Sequence, residues 1–321
     1  MIDTGVFGMT CLRLKRERAG HMVQKSLIWL VRFIVIVGIC FLVILPLISD
    51  VSMVFREERD FYDPSVVFIS KHFTLDNLKL VAEAMNLKEA APNTIGLSLL
   101  VAVSQLISCS FIGYGFAKFR FKGSRAVFAC VVLTLIVPSQ ILMSPLFLQF
   151  SSYNPLSFLG VPGGICLNNT IWPVFLMSIT GVGYRSGIYI YLLRQFFRGI
   201  PRELDEAAML DGATRFKIFY GISLPSARPI LVTVFLFAFV WQWTDVTFSG
   251  TFLYDTPLMS INAGNIQSIL MGSMPELADN QILTSLYTKV AAVILIVPIM
   301  LLFIILQRFF TQSIERTGLV R

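Results

Sequence analysis

Charge is scarce in this chain. Asp, Glu, Lys and Arg make up 14% of its 321 residues, against about 25% in soluble globular proteins, while 55% are hydrophobic. Mean hydropathy is +0.74. That balance excludes a soluble globular enzyme and a disordered tail. Histidine is nearly missing, with His21 and His72 alone. The five cysteines (Cys11, Cys40, Cys109, Cys130, Cys166) include no CxxC pair and no even framework. They read as unpaired small apolar residues, not as a disulfide scaffold or a metal site. No GxxxxGK[ST] phosphate loop and no HExxH pair occurs. GVGYRSG (181–187) resembles a glycine-rich nucleotide loop only superficially, because it lies in an apolar run and follows no strand; helix packing accounts for it better. No ATP hydrolysis, zinc chemistry, metal or cofactor is therefore expected in this chain.

Long apolar runs are what it has instead. A helix crosses the hydrocarbon core with about 20 apolar residues. Six segments qualify: 27–48, with Arg32 near its start; 95–117; 126–150, containing Pro138 and Pro145; 171–197, broken by glycines and holding Arg185; 229–252, with Asp245; and 286–306, with Lys289 near one end. The first is too long for a signal peptide and no small-residue cleavage site follows it, so a retained anchor is expected.

Basic residues orient the spans, because cytoplasmic loops carry the excess of Lys and Arg. With the N-terminus inside, 18 of the 26 fall in 1–26, 118–125, 194–228 and 307–321, and five fall in the outer segments, all within 50–93. The net charge of +7 is thus a topology signal and not a sign of nucleic acid. A multi-pass protein of a bacterial cytoplasmic membrane is predicted, with a cytoplasmic segment 1–26, an extracytoplasmic loop 49–92 holding a short helix near Leu75–Met85, and a cytoplasmic tail 311–321. The two histidines then lie on opposite sides and cannot share a metal. Glycine-rich GVPGG (160–164) lies just outside, before the fourth span. Asn168–Thr170 fits a glycosylation sequon but reads as helix-start residues.

The informative polar stretch is 194–229. Pro201 suits a helix first turn, where its missing N–H has no partner anyway. Glu203, Asp205 and Glu206 complement the positive helix end. Gly212 is a natural stop, and Thr214 can cap a second short helix through Gly221 before Pro225 and Pro229 close the unit. Two short helices joined at a glycine are predicted. Ala207 and Ala208 permit close approach by another protein, and no converging nucleophile or base is present.

Glu206-Ala207-Ala208, three residues, Gly212, nine residues, Ile222, one residue, Leu224-Pro225 matches the EAA motif of binding-protein-dependent ABC importers. GYGFAKFRFKGSRAVF (113–128), LIVPSQILMSPLF (135–147), LLRQFFRGIPRELDEAA (192–208) and VWQW (240–243) are similar to carbohydrate importer permeases, nearest the second permease subunit of the maltose importer and its oligosaccharide relatives. The likeness runs from about Asn93 to Gln307. It implies an all-α polytopic protein of six transmembrane helices with the type I ABC importer permease architecture and a permease domain over 93–310. It implies ATPase coupling through Glu206, Ala207, Ala208, Asp211, Gly212, Ile222, Leu224 and Pro225. It also implies as partners a second homologous permease, a cytoplasmic ATPase dimer, an extracytoplasmic solute-binding protein and membrane lipid. The chain itself would not be an enzyme, and oligosaccharide import is the expected function. One departure stands out: many relatives carry Trp-Asn near the end of the fifth span, where this chain has Trp243-Thr244-Asp245.

Arg185 and Asp245 are the two deepest charges, at overlapping depths when counted at 1.5 Å per residue. A charge at mid-membrane costs roughly 2.5–3.5 kcal/mol on insertion scales, so such groups pair or line a cavity. Either they form a buried ion pair or they face the translocation path, where Tyr184, Trp241 and Trp243 could stack on sugar faces. Two other functions stay open. An ABC permease for a polyamine or a phosphonate would share the coupling loop. An ion-coupled secondary transporter would need intramembrane carboxylates and broken helices in matched halves.

Overall fold

The apolar runs fold as helices. A computed structural model describes residues 4–61, 63, 66, 70–155 and 163–318. Among these there is no strand, only two isolated antiparallel bridges, Arg56 with Phe73 and Tyr153 with Ile165. Two compact units divide between Leu75 and Asp76.

In the first unit, α1 (Thr4–Val54) continues through the 27–48 run. Its apolar side chains there are mostly exposed. Within α2 (Glu58–Phe61), Asp60 ties Lys71 and His72 to the helix. This carboxylate is buried and accepts the backbone N–H of His72 (2.9 Å) and of Lys71 (2.8 Å), with His72 Nδ1 at 2.8 Å from its other oxygen. These donors, His72 foremost, hold its carboxyl below the usual carboxylate range. Phe55 and Phe73 stack at 4.9 Å across the same turn.

The second unit begins with α3 (Asp76–Ala84), where a short helix was expected, and α4 (Leu87–Lys118). Helix α4 is the hub. Ala102, Gln105, Cys109 and Gly113 recur at three- and four-residue intervals and form one buried face. Small residues there let neighbouring backbones approach. A Cβ on Gly113 would sit 2.9 Å from Leu193 Cβ and 3.1 Å from the Arg194 nitrogen. Around α4 pack α7 (Trp172–Ile179), α8 (Ser186–Gly199) and α12 (Arg228–Trp243). The third expected span forms α5 (Ser124–Leu133) and α6 (Ser139–Ser151). The loop between α8 and α12 holds α9 (Arg202–Leu210), α10 (Arg215–Ile218), a π-turn over Phe219–Ser223 and α11 (Leu224–Ser226). After α12 come α13 (Thr247–Phe252), α14 (Met259–Gly264), α15 (Ile266–Ser273) and the long α16 (Gln281–Gly318), which packs on α12 and α3.

All-helical architecture is therefore as expected, but six spans are not confirmed. Length and composition mark three membrane-crossing helices among the described residues, Gln24–Val54, Leu87–Lys118 and Gln281–Gln307, and a fourth if Arg215–Ser226 and Arg228–Trp243, bent by 78°, count as one. The other expected spans are broken, each for a local reason. The 126–150 run is interrupted at 134–138 because Pro138 has no N–H to give and biases its predecessor away from helix. The 171–197 run is interrupted at 180–185, where Gly181 (φ 77°) and Arg185 (φ 62°) take left-handed conformations. The 229–252 run stops at Trp243 and restarts at Thr247.

Breaks within a membrane need their freed polar groups satisfied by protein. Helix α4 does this for the 180–185 break. Ser108 donates to the Ser178 carbonyl (2.8 Å), and Gln105 Nε2 donates to the Tyr184 carbonyl (2.9 Å) and the Ser186 hydroxyl (3.3 Å). Before α7, Asn168 is buried and donates to the Phe147 carbonyl (3.0 Å). Asn169 and Asp255 exchange two hydrogen bonds of 2.7 and 3.1 Å. The Asn168–Thr170 triplet is thus tied into the fold. Of the GVPGG stretch, 160–162 lie outside the described residues.

Candidate functional site

Two places gather the residues singled out by sequence: the 200–229 loop and the helix breaks near Arg185.

In the loop, Pro201 stands just before α9, whose first turn carries Glu203 and Asp205. The helix ends as the glycine requires. Asp211 N–H donates to Ala207 O (3.1 Å), Gly212 N–H to Met209 O (3.0 Å) and Ala213 N–H to Ala208 O (2.9 Å), with Gly212 left-handed at φ 78°. Thr214 Oγ1 accepts the Lys217 N–H at 3.3 Å and caps α10. This is the two-helix unit joined at a glycine that the residues predict. Glu206, Ala207, Asp211, Gly212 and Pro225 are exposed, and Ala208, Ile222 and Leu224 are half-buried.

Two anchors hold the underside. Lys118, the last residue of α4, donates from Nζ to Asp205 Oδ2 (2.7 Å) and to the Ile200 carbonyl (3.1 Å). Both ion-pair side chains are buried, at 8% and 10% exposure. Phe219, also buried, meets Tyr114 at 4.8 Å and Phe111 at 5.0 Å from α4, and Phe197 at 6.2 Å from α8. The loop is mounted on α4 and α8 through these contacts. Among the exposed residues of the loop are three large apolar ones: Leu210 is 90% exposed, Phe216 63% and Leu204 49%. Sequence reasoning missed Lys118. It also missed Gln105, whose signal was a lone amide in an otherwise apolar span.

Of the two alternatives for Arg185 and Asp245, the ion pair does not form. Among the described residues no ion pair joins Arg185 and Asp245. Asp245 is buried and accepts the backbone N–H of Phe248 (3.2 Å) and of Ser249 (2.6 Å), and the Ser249 hydroxyl (2.8 Å). It therefore satisfies the start of α13, because free helix N–H groups serve a carboxylate as well as an arginine does. Trp243 is buried and donates from its indole to the Leu295 carbonyl (3.0 Å), which locks α12 to α16. Arg185, by contrast, is exposed at the start of α8. Its guanidinium lies over Trp241 (4.1 Å) and Tyr184 (4.9 Å). It borders an open recess of about 360 Å³ together with Pro138, Ser139 and Gln140 from the other helix break. The structure brings Arg185, Tyr184 and Trp241 together and sets Asp245 and Trp243 to structural work.

Residues 110–316 match the family model described as binding-protein-dependent transport system inner membrane component. The chain is similar to the alpha-glucoside transport system permease protein AglG of Rhizobium meliloti, 30% identical over 247 residues, covering 75% of this chain and 59% of that protein. It is similar to the arabinooligosaccharides transport system permease protein AraQ of Halalkalibacterium halodurans, 28% identical over 287 residues and covering 87% and 92%. It is also similar to the galactooligosaccharides transport system permease protein GanQ of Bacillus subtilis, 25% identical over 305 residues and covering 94% and 98%. In fold it matches a chain of a bacterial ABC transporter involved in the import of the acidic polysaccharide alginate, with a TM-score of 0.65, 20% identity, and coverage of 89% and 97%.

Proposed function

Because the chain belongs to the family of binding-protein-dependent transport system inner membrane components, we propose that it is one permease subunit of an ATP-driven importer whose cargo is an oligosaccharide. The observation that carries this reading is the 200–229 loop, with its EAA spacing, its anchored underside and its exposed apolar Leu204, Leu210 and Phe216. In this role an ATPase subunit seats on that face, and Glu206, Ala207, Ala208, Asp211, Gly212, Ile222, Leu224 and Pro225 form the seat and its frame. Hydrolysis in the ATPase dimer moves α9, and the buried Lys118–Asp205 pair carries the movement into α4. A second permease of the same family completes the transmembrane pathway, lipid covers the remaining apolar helix faces, and a solute-binding protein delivers cargo from outside. The sugars named for AglG, AraQ and GanQ favour an oligosaccharide over a polyamine or a phosphonate.

Uptake into proteoliposomes tests this. A labelled oligosaccharide should accumulate only when this chain, a second permease, the ATPase subunits, the binding protein and ATP are all present. Accumulation driven by an ion gradient without ATPase would replace the reading with secondary transport.

The proposed topology places both termini, 118–125 and 194–228 in the cytoplasm, from the basic-residue bias. With single cysteines in a cysteine-free background, an impermeant maleimide on intact cells should label exposed sites such as Asp76 or Lys79 and spare 204–220. The reverse pattern overturns the orientation.

A further inference from the structure

Resting on the importer reading, we propose that the recess beside Arg185 is a carboxylate-binding subsite, and that the cargo is an acidic, uronate-containing oligosaccharide. Four observations converge. First, Arg185 holds a left-handed φ of 62° at the helix break, a backbone conformation uncommon for a residue other than glycine and found at functional sites. Second, its guanidinium lies over aromatic rings and is not neutralised. The Trp241 and Tyr184 ring centroids are 4.1 and 4.9 Å from the guanidinium carbon, and among the described residues no carboxylate pairs with it. Asp245, the one acid on the neighbouring span, is engaged by Phe248 and Ser249. Third, the side chain is exposed into an open recess of about 360 Å³, room for sugar units. Fourth, Ser139 and Gln140, the first residues of α6 after the 134–138 break, also line the recess, and their side chains are of the kind that hydrogen-bond sugar hydroxyls.

A guanidinium carries its five N–H donors along its edges. Those edges form a planar fork that matches a carboxylate in bidentate fashion. A neutral sugar offers that fork only hydroxyls. A uronate offers an anion, together with a ring face for the adjoining aromatics. The same chemistry could be met by an acidic side chain of the second permease, and the experiment separates the two.

The detergent-purified transporter without its binding protein is titrated with a uronate trisaccharide and, in parallel, with its carboxyl-reduced neutral counterpart, following tryptophan emission. Trp241 lies against the guanidinium, so the uronate should give a saturable change that weakens with salt. The neutral trimer should bind at least tenfold more weakly. Arg185→Gln should abolish the preference, and Arg185→Lys should recover part of it by keeping the charge without the fork. Trp241→Phe should remove the signal while competition by labelled uronate persists. Equal binding of the two trimers, or none of either, overturns the proposal. So does an Arg185→Gln variant that fails to assemble with the second permease, which would assign the arginine to the interface. ATP-dependent uptake of a neutral oligosaccharide alongside any of these failures leaves the importer reading standing.

Discussion

Lys118→Met should destabilise the chain by about 3–5 kcal/mol, the usual cost of stripping one partner from a buried ion pair. The reason is local. Asp205 is buried, its Oδ1 has no partner among the described residues, and Lys118 Nζ is what offsets its charge. The Ile200 carbonyl would lose its donor as well. Removing both charges is the informative control. A Lys118→Met, Asp205→Leu double variant leaves no uncompensated charge and should recover most of the loss. Thermal unfolding of the detergent-solubilised chain, read by size exclusion, measures this. A single variant that melts with the wild type would show that the pair contributes nothing. If the double variant is stable yet transports poorly, the pair also serves in conducting movement from α9 to α4, as the proposed coupling route requires.

Gly212→Val should cut ATP-dependent uptake roughly tenfold or more while the chain still inserts and assembles. No atom lies within 4 Å of a Cβ at this position, so the substitution meets no clash. The penalty is in the backbone, since φ is 78° and a β-branched residue held there costs on the order of 1–3 kcal/mol. The turn between α9 and α10 should relax to another conformation and displace Leu210 and Phe216 together. Gly212→Asn is the graded control, because asparagine tolerates the left-handed region, and it should keep most activity. Uptake and substrate-stimulated ATP hydrolysis should fall in parallel in the valine variant. Wild-type uptake from a well-assembled valine variant would remove Gly212 from the coupling role.

The loop was legible in advance because its determinants are local. A proline before the helix, acids in its first turn, a glycine after it and a threonine cap all act within four residues, so spacing alone specifies them. The helix breaks were half legible. Pro138 and the 181–183 glycines mark them, yet apolar content argued for six full spans. Hydropathy sums over a window and does not register where a backbone turns. The fate of Arg185 and Asp245 was not legible. Equal depth suggested a pair, but depth says nothing about which way a side chain faces, and Asp245 found backbone donors three and four residues along its own chain.

What the sequence determined by itself was the solvent and the repertoire: a chain for a membrane, helical almost throughout, with one polar loop of two short helices joined at a glycine. Composition and short-range spacing suffice for that, because hydrophobic transfer and helix capping are local sums. Only the tertiary structure decided which polar groups serve the fold and which stay free. Lys118 and the Ile200 carbonyl lie 82 positions apart, and Gln105 reaches across 79 to hold the break at Tyr184. Such contacts depend on the rotation of α4 against α8. Where these two helices meet, a Cβ on Gly113 would sit 2.9 Å from Leu193 Cβ, so the glycine allows the close approach, while Trp243 and Asp245 are held elsewhere, by α16 and α13.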